Sequence, residues 1–83
     1  MTFEELTLSI TGNHAMLYVV TLTDKSPMTG LIDGPYRGYA SHPVGRTADY
    51  IYVTQILRGA SNTTAVRCED IASIEVHQPN LLL

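Results

Sequence analysis

The chain has one cysteine, Cys68, no tryptophan, one phenylalanine, and only five Lys plus Arg against eight Asp plus Glu. A single cysteine excludes an internal disulfide framework and a cysteine-built zinc site, and it suits a reducing compartment. The three histidines, His14, His42 and His77, show no HxH or HxxxH spacing and no nearby run of carboxylates, so no metal site is expected. Five basic residues cannot make the broad positive surface on which long nucleic acid depends. The longest apolar run, Ala15 to Val20, is far below the ~18 residues of a membrane span. Glu4 and Glu5 stand where a signal peptide carries positive charge, so no membrane association is expected and the reading is cytoplasmic. G-x-S-x-G, the P-loop and G-x-G-x-x-G are all missing, and Ser41 and His42, neighbours in an extended chain, point apart. No enzyme and no cofactor are expected.

Eighty-three residues, 45% hydrophobic and 16% charged, make one globular domain. A domain of this size buries only roughly 60 to 65% of the surface its unfolded chain exposes, so further contacts from a homo-oligomer are expected. The domain is read as residues 1–78, followed by an apolar tail over 79–83 whose Leu81, Leu82 and Leu83 invite docking on the domain or on another subunit.

Twenty-two residues are Val, Ile or Thr, a bias toward pleated surfaces and an all-β fold. Leu6, Leu8 and Ile10 alternate with Thr7 and Ser9 and read as a strand, although Thr2 and Glu5 have capping-box spacing. Thr11-Gly12-Asn13 reads as a hairpin turn into a second strand from His14 to Thr23, apolar on both faces. Met28 to Asp33 is a third strand with a bend at Gly30, and Gly34 to Thr47, with three glycines and two prolines, is a long loop. Asp49 to Leu57 and Thr63 to Cys68 are strands, with Val66 and Cys68 inward. Glu69 to Ala72 is one 3₁₀ turn, and Ser73 to His77 is the last strand, with Ile74 and Val76 inward. Five or six short strands with tight turns predict a small barrel.

The stretch Val66-Arg67-Cys68-Glu69-Asp70-Ile71-Ala72-Ser73-Ile74 resembles the closing segment of Sm-like and SH3-like small barrels. There a strand ends in Arg-Gly, a short turn follows, and apolar residues fall four and seven positions after the arginine. Arg67, Ile71 and Ile74 keep that spacing, and Cys68 replaces the glycine. The order of elements, with Met16 to Leu22 early and Tyr50 to Val53 in the middle, also resembles the Rho-inhibitor Rof family, acidic Sm-like proteins that bind a protein partner. The resemblance implies a five- to six-stranded barrel and matches Arg67 to the Sm arginine that contacts RNA. The Asp and Met-Asn residues of the Sm uridine site are missing.

The loop is the strongest local signal. No acid lies between Asp33 and Asp49, while Tyr36, Arg37, Tyr39, His42 and Arg46 all fall inside. Arginine forks suit phosphate, tyrosine faces suit a base, and Gly34, Gly38 and Gly45 let main-chain amides approach an anion. The expectation is a non-enzymatic module binding a phosphorylated small molecule or short oligonucleotide through these residues, with Arg67 a further candidate. The alternative is an acidic, protein-directed inhibitor, of the kind phage and mobile elements encode against host proteins. It would present Glu4, Glu5, Glu69, Asp70 and Glu75 to a basic target. Cys68, alternating with Val66, reads as a small core residue.

Overall fold

Thr2 and Glu5 close a reciprocal capping box: the Thr2 N–H donates to Glu5 Oε1 at 2.9 Å, and the Glu5 N–H donates to Thr2 Oγ1 at 3.1 Å. Two of the orphan donors at a helix start are thereby satisfied, and residues Phe3–Ile10 form helix α1. This overturns the strand expected over 6–10. The Thr7 and Ser9 hydroxyls donate back to the Phe3 and Glu5 carbonyls, so their polar groups are met within the helix. Only Leu6 and Ile10, spaced four apart on one helical face, are buried, while Leu8 is 75% exposed. Leu8 made the pattern look alternating, but on a helix it faces away from its two neighbours.

The computed structural model describes residues 1–10, 16–39 and 47–77. Among them are five antiparallel strands: β1 (Tyr18–Leu22), β2 (Pro27–Tyr36), β3 (Tyr50–Leu57), β4 (Ala60–Arg67) and β5 (Ile71–Val76). A 3₁₀ turn over Cys68–Asp70 joins β4 to β5, one residue earlier than its expected start. The strands form one sheet in the order β4-β3-β2-β1-β5, which is open between β4 and β5. The turn expected at Thr11-Gly12-Asn13 lies outside the described residues, and the described element before β1 is α1 rather than a strand.

β2 is the long shared strand. Pro27 to Gly30 pair with β1, and from Leu31 onward the strand pairs with β3. Gly30, where a bend is expected, marks this change of partner. A Cβ at Gly30 would lie 2.2 Å from the Thr54 carbonyl oxygen, so only glycine allows the two backbones to approach. The break expected at Gly34 is absorbed within β2, which runs on to Tyr36. The ladder with β3 shifts register between Asp33 and Tyr36, and Gly34 and the cis-linked Pro35 occupy that irregularity.

The inward face of the sheet carries Tyr18, Val20, Ile32, Ile51 and Val53, joined by Val66, Cys68 and Ile71 around the closing turn. Leu6 and Ile10 of α1 complete this core. Burying each of those two side chains stabilises the fold by ~1.5 to 3 kcal/mol. The Tyr18 hydroxyl donates to the Ile10 carbonyl at 2.9 Å, tying the end of α1 to β1. Val66 and Cys68 are inward as expected, and Ile74 packs against the core. Val76, also expected inward, lies at the end of β5 opposite Tyr18 and is exposed. The second strand is shorter than expected, and Met16 and Leu17, which precede it, are exposed. The segment 79–83 lies outside the described residues. No helix among the described residues is long and apolar enough to cross a membrane.

Candidate functional site

Arg37 leaves the end of β2 and turns over the start of α1. Its Nη1 donates to Asp49 Oδ2 at 3.2 Å and its Nη2 donates to Glu4 Oε1 at 3.0 Å. The guanidinium carbon lies 3.7 Å from the centre of the Phe3 ring, in cation–π range. The Asp49 carboxylate accepts a second bond, from the Gly38 N–H to Oδ1 at 3.1 Å. A Cβ on Gly38 would lie 2.4 Å from the Ala48 carbonyl oxygen, so glycine at this position brings the chain on either side of 40–46 together. The anion expected at these donors is therefore present already, as the protein's own Asp49 carboxylate.

The electrostatics follow this geometry. The Glu4 hydrogen bond raises the Arg37 pKa above its ordinary value, with Asp49 adding to it. Its own main-chain N–H first, and then Arg37, hold the Glu4 carboxyl below its ordinary value. Arg67 is held in the same manner at the other end of the site: Nε donates to Asp70 Oδ2 at 3.1 Å, and Nη1 lies 3.2 Å from Glu69 Oε1. The four ion pairs among the described residues are surface pairs, whose individual contribution to stability is small, ~0 to 1 kcal/mol each.

Between these two clusters is a hollow of about 490 Å³ bordered by the first turn of α1, by Thr47, Ala48 and Asp49, and by Cys68 and Glu69. Three carboxylates, those of Glu4, Asp49 and Glu69, stand on its border. Beside it a more apolar hollow of about 350 Å³ is lined by Phe3, Glu4, Thr7, Leu8 and Arg37. Cys68 reaches the floor of the first hollow but is buried, and burial pushes its thiol pKa up, which disfavours the nucleophilic thiolate.

The tyrosines go elsewhere. Tyr36, Tyr50 and Tyr52 form an aromatic cluster on the face of β2 and β3 opposite the core, with ring centres 5.4 to 5.8 Å apart. The Tyr36 hydroxyl donates to Asp33 Oδ1, and that bond is the main reason its pKa rises. Tyr39 is 61% exposed. Of the six residues expected to bind a ligand, the structure pairs Arg37 and Arg67 with carboxylates that border one hollow and places Tyr36 in the aromatic cluster. His42 and Arg46 lie outside the described residues. Phe3, Thr47 and Asp49 belong to this site and were missed. No local pattern links them to Arg37, because the Arg37–Glu4 contact spans 33 residues of chain.

Fold and site together define a small antiparallel β-sheet domain with a helix-covered core and an ion-paired, acidic surface hollow. Comparison with family models, with curated proteins and with solved structures finds no match to the chain.

Proposed function

We propose that this domain is a non-enzymatic, protein-directed binding module of the Sm-like or SH3-like open-barrel kind, which takes a basic side chain of a partner protein into its acidic hollow. The barrel reading is supported by the order of elements: a helix, a strongly shared β2, and a 3₁₀ turn between the two edge strands. The observation that carries the binding reading is the placement of Glu4, Asp49 and Glu69 around one hollow. With Asp70, four carboxylates there face two guanidinium groups and the Met1 ammonium, which lines the hollow and donates to the Cys68 and Ile71 carbonyls, so the site keeps a net negative charge after its internal pairing. A lysine or arginine answers that charge, and the adjoining Phe3 and Leu8 surface suits an apolar neighbour in the same segment.

A phosphorylated ligand would have to displace two carboxylates from Arg37 and two from Arg67. That competition makes it the less favoured reading. A thermal-shift panel separates the two, since a ligand that binds only the folded state raises its melting temperature. Short Lys- and Arg-containing peptides with a neighbouring Leu or Phe are expected to raise Tm, and Glu69→Lys is expected to abolish the shift. If nucleotides raise Tm and basic peptides do not, the protein-directed reading is lost.

A further inference from the structure

β4 is the last strand on its side of the sheet. The outward row of N–H and C=O groups on such a strand is a template for pairing unless proline, lysine, a bulge or a covering segment blunts it. β4 has none of the first three. Ala60 to Val66 contain no proline and no charge, and the register with β3 runs through eight successive pairs, from Tyr50↔Arg67 to Leu57↔Ala60, without a shift. Residues 60 to 64 are all exposed, so no described segment covers this stretch. The opposite edge is different. β5 carries Glu75, and its ladder with β1 is broken by a register shift at Thr21 and Leu22.

Charge then selects the occupant. Arg58 lies exposed in the turn before β4 and makes none of the ion pairs among the described residues. Glu69 and Asp70 lie just past the other end of the strand, where two carboxylates share one guanidinium, that of Arg67. An antiparallel two-fold pairing of two β4 strands brings each end of one against the opposite end of the other. Arg58 of each copy then lies beside Glu69 and Asp70 of the second copy.

We propose that this edge is an interface with a second copy of the chain, formed by antiparallel pairing of β4 with β4 about a two-fold axis at Thr63. This register keeps each face of one sheet continuous with the same face of the other, because opposed residues differ by an even number. Thr63 meets Thr63, Asn62 meets Thr64, Ser61 meets Ala65 and Ala60 meets Val66. No like charges are opposed, and a threonine pair is a favourable cross-strand neighbour. The interface shares Glu69 with the border of the acidic hollow, but Arg58 and Thr63 do not line that hollow, so substitutions there test the pairing apart from the binding reading.

Sedimentation and disulfide trapping test it. The wild-type chain is expected to run at twice its 9.1 kDa mass at high micromolar concentration and to dissociate as salt is raised. Arg58→Glu, at an exposed turn, is expected to give a monomer with an unchanged circular dichroism spectrum. Thr63→Cys is expected to oxidise to a covalent dimer under mild conditions, and Thr64→Cys is not. A monomeric wild type overturns the proposal. So does a dimer that withstands Arg58→Glu and fails to link through Thr63→Cys, since it uses another surface.

Discussion

Replacing Tyr18 by Phe removes the bond that ties the end of α1 to the sheet. The Tyr18 ring is 2% exposed and fills the core, and phenylalanine keeps nearly all of that volume. What is lost is the hydroxyl donor to the Ile10 carbonyl, 2.9 Å away in a buried setting. A buried acceptor left without its donor costs ~1 to 3 kcal/mol, more than the net value of an average hydrogen bond. At ~4 to 8 °C per kcal/mol for a domain of this size, Tyr18→Phe should lower Tm by several degrees at least. Urea unfolding gives the same quantity as a lower midpoint at unchanged slope. A loss below ~0.3 kcal/mol would refute the argument that this bond anchors the helix, because a deficit so small lies within the range of ordinary surface substitutions.

Three further outcomes follow from named contacts. Gly30→Ala should destabilise the fold by more than ~1 kcal/mol, because the new methyl must displace the Thr54 backbone at the change of partners in β2; thermal melting measures it, and an unchanged Tm would contradict the close approach. Cys68 should resist thiol reagents in the native state and react on unfolding, since it is buried and its pKa is raised; rapid labelling of the folded chain would contradict this. The carboxyls of Glu4, Glu5 and Asp24 all titrate below their ordinary values, held by hydrogen bonds. Their contribution to stability is complete above those ordinary values, 4.5, 4.5 and 3.8, and is lost as pH falls through the lowered ones. Stability carried by these groups should therefore be flat above pH 4.5 and decline below it, and Glu5→Gln should shrink the decline.

Much of the sheet was legible because strands announce themselves locally. The run Tyr50 to Leu57 and the strand, turn and strand over Val66 to Ile74 lie nearly where alternation put them, and Gly30 marks the change of partners within β2. The N-terminal segment misled because two signals conflicted. Leu6, Leu8 and Ile10 alternate, but the Thr2–Glu5 capping box acts at the first turn and the long-range core accepts only Leu6 and Ile10. The site was legible in residue type and not in role. The acid-free stretch after Asp33 predicted open arginine donors, yet folding brings Glu4 and Asp49 onto Arg37, from 33 and 12 positions away. Local charge counts do not register such pairings, which are made by the topology that lays α1 beside the end of β2.

The central claim is that the acidic hollow receives a basic side chain from a protein partner, and amide chemical-shift mapping tests it most directly. Titration with a short arginine- and leucine-containing peptide is predicted to move the amides of Thr2 to Glu4, Thr47 to Asp49, and Cys68 and Glu69 together. If those amides stay still with every basic peptide while a nucleotide moves Gly34 to Tyr39, the claim is contradicted.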